Sequence, residues 1–368
     1  MRTKPASTGW TPPHCPNPKC KYHKHLHGPW PFRRRGSYRR QCVPRLVQRY
    51  DCRDCGRNFS SQTFSTDYWL KRPELLRSIF MRLVGCMCGR QIARDVDCSP
   101  ETVNRLTARL GRHCMLYHLE RWRQQAPTGP VVVDGFESFE YSQYHPIHHH
   151  VAVDAESGFW MYHTDSELRR KGRMTRAQKR RREELEKKHG RPDPQAIRKD
   201  MTELLRVSLA NARQATVRSD EHRSYPPAIR ASGASVGQHE VTSSKKPRTA
   251  QNPLFPVNEL DLLIRHSQAN HKRETIAFSK RRQASAERLS VLLVWKNYIK
   301  WRREKAPGIT AAMLAGVAEC RLSLAELLNK RRFPSRIWLP ERWRQYYGRL
   351  ITTRELANNR KHDLRYAF

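Results

Sequence analysis

The chain has 368 residues, enough for two or three domains that each bury a core, and it carries 71 Lys and Arg against 34 Asp and Glu, a net charge of +37. No apolar run reaches the roughly 18 residues that a membrane helix needs, and the opening MRTKPASTGW has no apolar signal core, so a soluble, non-secreted protein is expected. With 38% hydrophobic residues, much of the chain is surface or solvated helix, and the expected partner of so basic a surface is nucleic acid.

Residues 1–66 hold the first motif. Cys15 and Cys20 lie in CPNPKC, and Cys52 and Cys55 lie in CRDCGRNF, where Gly56 closes a turn. Thiolates at such short intervals on two tight turns can face one ion, so this segment is expected to be a small zinc ribbon whose metal supplies folding energy that a small core cannot. His23, His25, His27 and Cys42 lie between the pairs and are possible substitute ligands. Ten Cys, four of them in two short pairs, fit an intracellular metal site better than a secreted disulfide framework.

Residues 67–123 read as helical. Leu75, Leu76, Ile79, Phe80 and Leu83 form an apolar stripe, and RQIARDV is a short second helix. SPETVNRLTARLG then opens with Ser99 as N-cap, Pro100 at the first helical position and Glu101 in the first turn. Val103, Leu106 and Leu110 would be buried, leaving Asn104, Arg105, Thr107, Arg109 and Arg112 on other faces. A helix, a short turn and a capped helix with a basic outer face match the helix-turn-helix pattern, so Asn104, Arg105, Arg109 and Arg112 are candidate DNA contacts.

From Val131 the character changes. VVVDGFESF, HHHVAVDAESGFWMYH and ATVRSDEH read as strands, the first two pairing as a hairpin across YSQYHPI. Asp134 is expected at the end of the first strand and Asp220 after the fourth, while Asp154 reads as a hairpin-turn residue. His148, His149 and His150 alternate between faces of a strand and so cannot easily share one ion; they read as strand and surface residues. Residues 168–199 hold 14 Lys or Arg and four Asp or Glu with almost no apolar side chains, which suits a solvated basic insertion able to grip phosphates. Amphipathic helix resumes over 199–214, a further strand lies in VGQHEVTSS, and a long helix opens near Asn258, with Asn258, Asp261, Arg265 and Lys272 on a polar stripe. Residues 286–301 fit helix, and 306–368 reads as a basic, helical C-terminal extension.

A mixed sheet flanked by helices can bring Asp134, Asp220 and an acid of the long helix together. Three converging carboxylates repel one another, and divalent hard cations relieve that repulsion. A pair of such ions, about 3.5–4 Å apart, activates a nucleophilic oxygen and stabilises the leaving oxygen of a phosphodiester. Acids for metal inside a basic shell for a polyanion is the combination that chemistry needs.

CPNPKC, CRDCGRNFS, SPETVNRL, VVVDGFESF, TVRSDEHRSY and above all HKRETIAFSKR together resemble bacterial insertion-sequence transposases of the DDE type. The resemblance covers most of the chain. It implies an α/β, RNase H-like catalytic domain over 130–305, preceded by the zinc ribbon and the helix-turn-helix. It further implies metal-dependent DNA cleavage and strand transfer at transposon ends, with magnesium or manganese held by Asp134, Asp220 and a third acid. Asp261 is the chosen third acid, with Glu274 and then Glu259 as alternatives. Arg281 stands where this class has a basic partner, Arg265 is a further candidate DNA contact, and His222 and Tyr225 follow the second acid. Double-stranded DNA, a homo-oligomer on that DNA, and a nucleoid-associated location are the implied setting. The alternatives are a non-catalytic zinc-ribbon and helix-turn-helix regulator, an RNase H-like nuclease that cuts without joining, and a decayed copy that only binds.

Overall fold

Residues 10–24 and 28–357 are described by the computed structural model, so His25 and His27 lie outside the described residues. The chain divides into two compact units. Among the described residues, one comprises the chain to Arg77 together with Leu324–Trp338, and the other comprises Ser78–Ser323 and residues 339–357.

The first unit is built on aromatic residues rather than length. Strands β1 (Phe32–Arg39), β2 (Leu46–Cys52) and β3 (Asn58–Ser60) form an antiparallel sheet in that order. Tyr50, Phe59 and Phe64 form its core with Phe333, and Trp10, Trp30 and Phe32 pack against them. Stacked and edge-on rings concentrate apolar area in few residues, which is how a sheet this small acquires a core. Phe333 arrives from far along the chain, and Arg331 N–H donates to the Phe64 carbonyl at 2.8 Å. Residues 306–368 are therefore not one helical extension. Those described begin in a strand, return to the aromatic core within 324–338, and form the helix Glu341–Tyr347 in the second unit.

The second unit begins within helix α1 (Leu75–Val84) and continues through α2 (Gly89–Asp95) and α3 (Pro100–Trp122). The Ser99 side chain accepts from Thr102 N–H, so the cap forms as expected, but α3 runs on for 23 residues because its second half is almost wholly buried. It lies against α8 (Arg282–Val294) at Gly111, where a Cβ would stand 2.6 Å from the Glu287 carbonyl oxygen. Glycine lets the two backbones touch there.

The central sheet has β4 (Val131–Phe139), β5 (Pro146–Asp154), β6 (Trp160–Glu167), β7 (Ala215–Ser219) and β8 (Val236–Val241). Their order is β6-β5-β4-β7-β8; β4, β5 and β6 are antiparallel neighbours, and β7 is parallel to both β4 and β8. Helix α5 (Ala196–Ser208) packs on β5 and β6, while α7 (Phe255–Ser267) packs on β4 and β5. This is the expected α/β architecture, a mixed sheet flanked by helices. Between β6 and α5 the basic insertion forms α4 (Arg176–His189), opened by Thr175 in a reciprocal cap with Gln178 and burying only Leu185. Helix α6 (Tyr225–Ser232) joins β7 to β8, and β9 (Trp301–Arg303) pairs with β10 (Ala306–Thr310) in a separate hairpin. No helix among the described residues is long and apolar enough to cross a membrane.

Candidate metal centres

The two cysteine turns are locally determined. Cys20 N–H donates to the Asn17 carbonyl at 3.0 Å, and Gly56 N–H donates to the Cys52 carbonyl at 2.9 Å with Gly56 at φ +70°. These turns aim four sulfurs at one point: Cys15 and Cys55 Sγ are 3.6 Å apart, Cys20 and Cys52 Sγ are 3.9 Å apart, and all four lie within 4.8 Å of one another. A tetrahedron with zinc–sulfur arms of about 2.3 Å has edges of about 3.8 Å, so the cluster has the size that zinc requires. Cys15, Cys20 and Cys52 are buried. Burial pushes the Cys15 thiol up and the Cys20 thiol up to about 12. At Cys52 burial also raises, but donors including the Trp30 indole N–H, 3.3 Å from its sulfur, outweigh it and lower that thiol. A bound cation would deprotonate all four, which is the state zinc needs. His23 is not a ligand: its Nδ1 meets the Cys15 carbonyl at 2.7 Å and its Nε2 meets Ser335 Oγ at 2.8 Å. Cys42 is held by Arg40 Nε, 3.0 Å from its sulfur, and also lies apart.

The acid site arises from the sheet. Asp134 is the fourth residue of a nine-residue strand, mid-strand rather than at its tip, because β4 continues past it in register with β5, Asp134 opposite Val151 and Phe136 opposite His149. On its other side β4 pairs with β7 through Val131 with Val217 and Val132 with Arg218, and that offset carried two residues further would set Asp134 level with Asp220, whose charge bears on it. Helix α7 crosses β4 and carries Asp261 toward them. Asp134 Oδ1 accepts from Gly135 N–H at 2.7 Å, Asp220 Oδ1 accepts from His222 N–H at 2.9 Å, and buried Tyr225 lies beside both acids. Asp261 Oδ2 accepts from Arg265 Nε at 3.4 Å, while its buried Oδ1 has no hydrogen-bond partner.

Burial raises the Asp134 carboxyl to about 7; the Gly135 N–H opposes this, and the charges of Asp220 and Asp261 add to it. Burial likewise raises Asp261, against the pull of Arg265, Arg248 and Arg273. An under-bonded carboxylate oxygen beside an acid held in its protonated range fits a site that a cation would complete. The trio is nonetheless looser than the cysteines, which are the only group of three or more metal-binding side chains among the described residues whose ligand atoms all lie within 4.8 Å. Of the candidate third acids, Glu259 is tied to Arg302 at 3.0 Å, and Glu274 is exposed in a loop at φ +53°. Asp261 is the one whose charge bears on Asp134.

Other expected residues fall differently. His148, His149 and His150 alternate faces as strand residues, but all three are buried because helices cover both sides of β5. Burial lowers His148 to about 3 and His149 to about 4. His148 Nδ1 lies 3.1 Å from His150 Nδ1, whose Nε2 reaches Ser166 Oγ at 2.8 Å. Asp154 is a turn residue, accepting from Thr128 and Gly129 N–H on one side and Ser157 N–H on the other. In the helical pair, Asn104 and Arg105 are exposed and Arg109 is half-buried. Thr107 is buried, and Arg112 turns inward beside Glu287, its pKa lowered by burial, so neither belongs to an outer face. Arg265 is engaged by Asp261 and lies over the Phe136 ring, 5.6 Å from its centroid. Arg281 caps α8, and it is the next residue, Arg282, that is buried, bonded to Glu167 at 2.9 Å and to Asp165. Sequence reading missed that network; its only signal was an Asp inside the apolar strand WMYHTDSE.

No protein-family model matches the chain, and no curated protein matches it.

Proposed function

We propose that this chain is a DNA transposase of the DDE type, with an RNase H-like catalytic domain in its second unit and divalent cations held by Asp134, Asp220 and Asp261. The observation that carries this reading is the meeting of three carboxylates, one from each of β4, the end of β7 and α7, inside a chain of net charge +37. The strand order, three antiparallel strands followed by two parallel ones, supports the fold assignment.

Magnesium or manganese bound by these carboxylates would polarise the phosphodiester and activate the attacking oxygen. The residues of the chain prepare that site. Gly135 and His222 N–H groups fix one oxygen each of Asp134 and Asp220. Arg265 holds one oxygen of Asp261 and leaves the other directed by nothing else. In the reaction water attacks a phosphodiester at the element's end and the bridging 3′ oxygen leaves as a hydroxyl; that hydroxyl then attacks a target phosphodiester and displaces a second 3′ oxygen. The cysteine unit, the α2–α3 pair with Asn104 and Arg105, and basic α4 would hold duplex DNA through its phosphates. Joining two ends at one target calls for at least two copies of the chain on DNA.

The test is incubation with Mg²⁺ or Mn²⁺ and DNA bearing the inverted repeats that flank the gene. Cleaved ends and joined products are expected, with Asp134→Asn and Asp220→Asn each reducing them by about a hundredfold or more. A wild-type protein that binds this DNA without cutting it would be a regulator, and the reading would fail.

A further inference from the structure

The second unit contains a cleft of about 670 Å³ that the acid site does not use. It is lined by Arg218 of β7, Phe255 and Pro256 at the start of α7, Arg302 and Arg303 of β9, and Ile309 of β10. Two of these elements also carry the acids. Arg218 lies two residues before Asp220, about 7 Å along a strand; Phe255 lies six residues before Asp261, about 9 Å along a helix. The cleft and the acids therefore lie along the same pair of elements.

Its chemistry is mixed. Three guanidinium groups face one acid of the lining, Glu156. Arg218 gives Nε to Glu240 at 2.7 Å and Arg302 gives a terminal nitrogen to Glu259 at 3.0 Å, pairings that hold both groups in place while leaving further N–H donors on each. Arg303 is exposed and makes no ion pair among the described residues. Beside these charges stand an aromatic ring, a proline ring and a branched aliphatic side chain. Guanidinium groups next to apolar flat surfaces suit phosphates next to nucleobases. Size then decides between nucleic-acid forms. A duplex presents a major groove alone about 12 Å wide, too large to enter, whereas a few hundred cubic ångströms is the scale of pockets that enclose small ligands.

We propose that this cleft binds unpaired nucleotides of a DNA strand, those adjoining the phosphodiester presented to the acids. The assignment of DNA as the substrate rests on the function proposed above; the preference for unpaired nucleotides rests on the cleft itself. The substrate strand is thus opened locally beside the reacting bond, with phosphates on Arg303 and its neighbours and a base against Phe255.

The experiment is fluorescence anisotropy on the full chain, zinc retained and magnesium omitted, with dT12 and a 12-base-pair duplex as probes. Arg303→Glu is expected to weaken dT12 about tenfold or more and the duplex much less, and Phe255→Ala to weaken dT12 about tenfold through lost stacking. Arg180→Glu, on exposed α4, should weaken the duplex at least as much as dT12, the opposite preference to Arg303→Glu. Equal loss on both probes with Arg303→Glu, or no loss on either, overturns the proposal. So does competition by free thymidine monophosphate at the concentration at which dT12 competes, since the occupant would then be a free nucleotide. A chain that never cuts DNA but shows the Arg303 effect would refute the transposase reading and keep the cleft; one that cuts DNA without the effect would do the reverse.

Discussion

In the cysteine cluster the ligand atoms already stand at tetrahedral spacing, 3.6–3.9 Å across the paired sulfurs, and the turns that hold them are local. In the acid site the ligands come from three elements spread over more than a hundred residues of chain, and they stand further apart. On the function proposed above, the difference follows from what each cation would do. A structural ion replaces a missing core, so its site must close completely. A cation that served a reaction would need open positions, which carboxylates held by the sheet and left partly unsatisfied would provide.

The largest effect is expected at the cysteines. Cys52→Ser, or removal of zinc by a chelator, should unfold the first unit, because structural zinc contributes on the order of 10 kcal/mol. Limited proteolysis should then cut within residues 10–77 while the chain from Ser78 to Ser323 resists, and metal analysis of the intact protein should give about one zinc per chain. Resistance of both units without metal would show that the aromatic core suffices.

Two buried acids of the second unit sharpen the contrast next. Asp165 is fully buried and ionised, held well below the usual carboxylate range by Arg282 and Arg342 against the cost of burial. Asp165→Asn should cost about 3–5 kcal/mol by stranding buried guanidinium groups. Asp134→Asn should instead be neutral or stabilising without divalent cations, because it removes a carboxylate that its neighbours oppose. Thermal melts of the two variants should therefore move in opposite directions or differ by many degrees.

The pH dependence carries the same contrast. Asp134 is raised in the folded chain to about 7, so between the unfolded carboxyl value of about 4 and pH 7 the folded state binds the extra proton. Its contribution to stability accordingly falls as pH rises through that window, by about a few kcal/mol at most. Asp165, lowered on folding, contributes stability that is present above about pH 4 and lost below it. Magnesium at about a hundred times its dissociation constant should restore about 2.7 kcal/mol at pH 7, and Asp134→Asn should abolish most of that gain in denaturation curves.

The smallest effect lies in the scaffold. Gly111→Ala must push α3 from α8 and should cost about 1–3 kcal/mol, with no change in zinc content.

Legibility followed range along the chain. The cysteine turns, the Ser99 cap and the strand at 215–219 are set by neighbours in sequence and could be read from them. Asp220 after its strand and Asp261 on the polar face of its helix were legible for the same reason. What escaped depends on distant partners. Phe333 joins an aromatic core built by residues before Phe64, Arg112 turns inward because α8 supplies Glu287, and the histidines of β5 are buried because helices cover both faces. Asp134 was misplaced within its strand because the pairing that extends β4 through Phe139 comes from residues 146–150, which carry three histidines instead of a hydrophobic run.

The most direct measurement compares the three candidate acids in Mn²⁺-dependent cleavage of DNA carrying the element's ends. Asp261→Asn should lose cleavage by about a hundredfold or more, while Glu259→Gln and Glu274→Gln, one tied to Arg302 and the other exposed in a loop, should cut at close to the wild-type rate. Full activity in Asp261→Asn, or loss in Glu274→Gln alone, would contradict the trio.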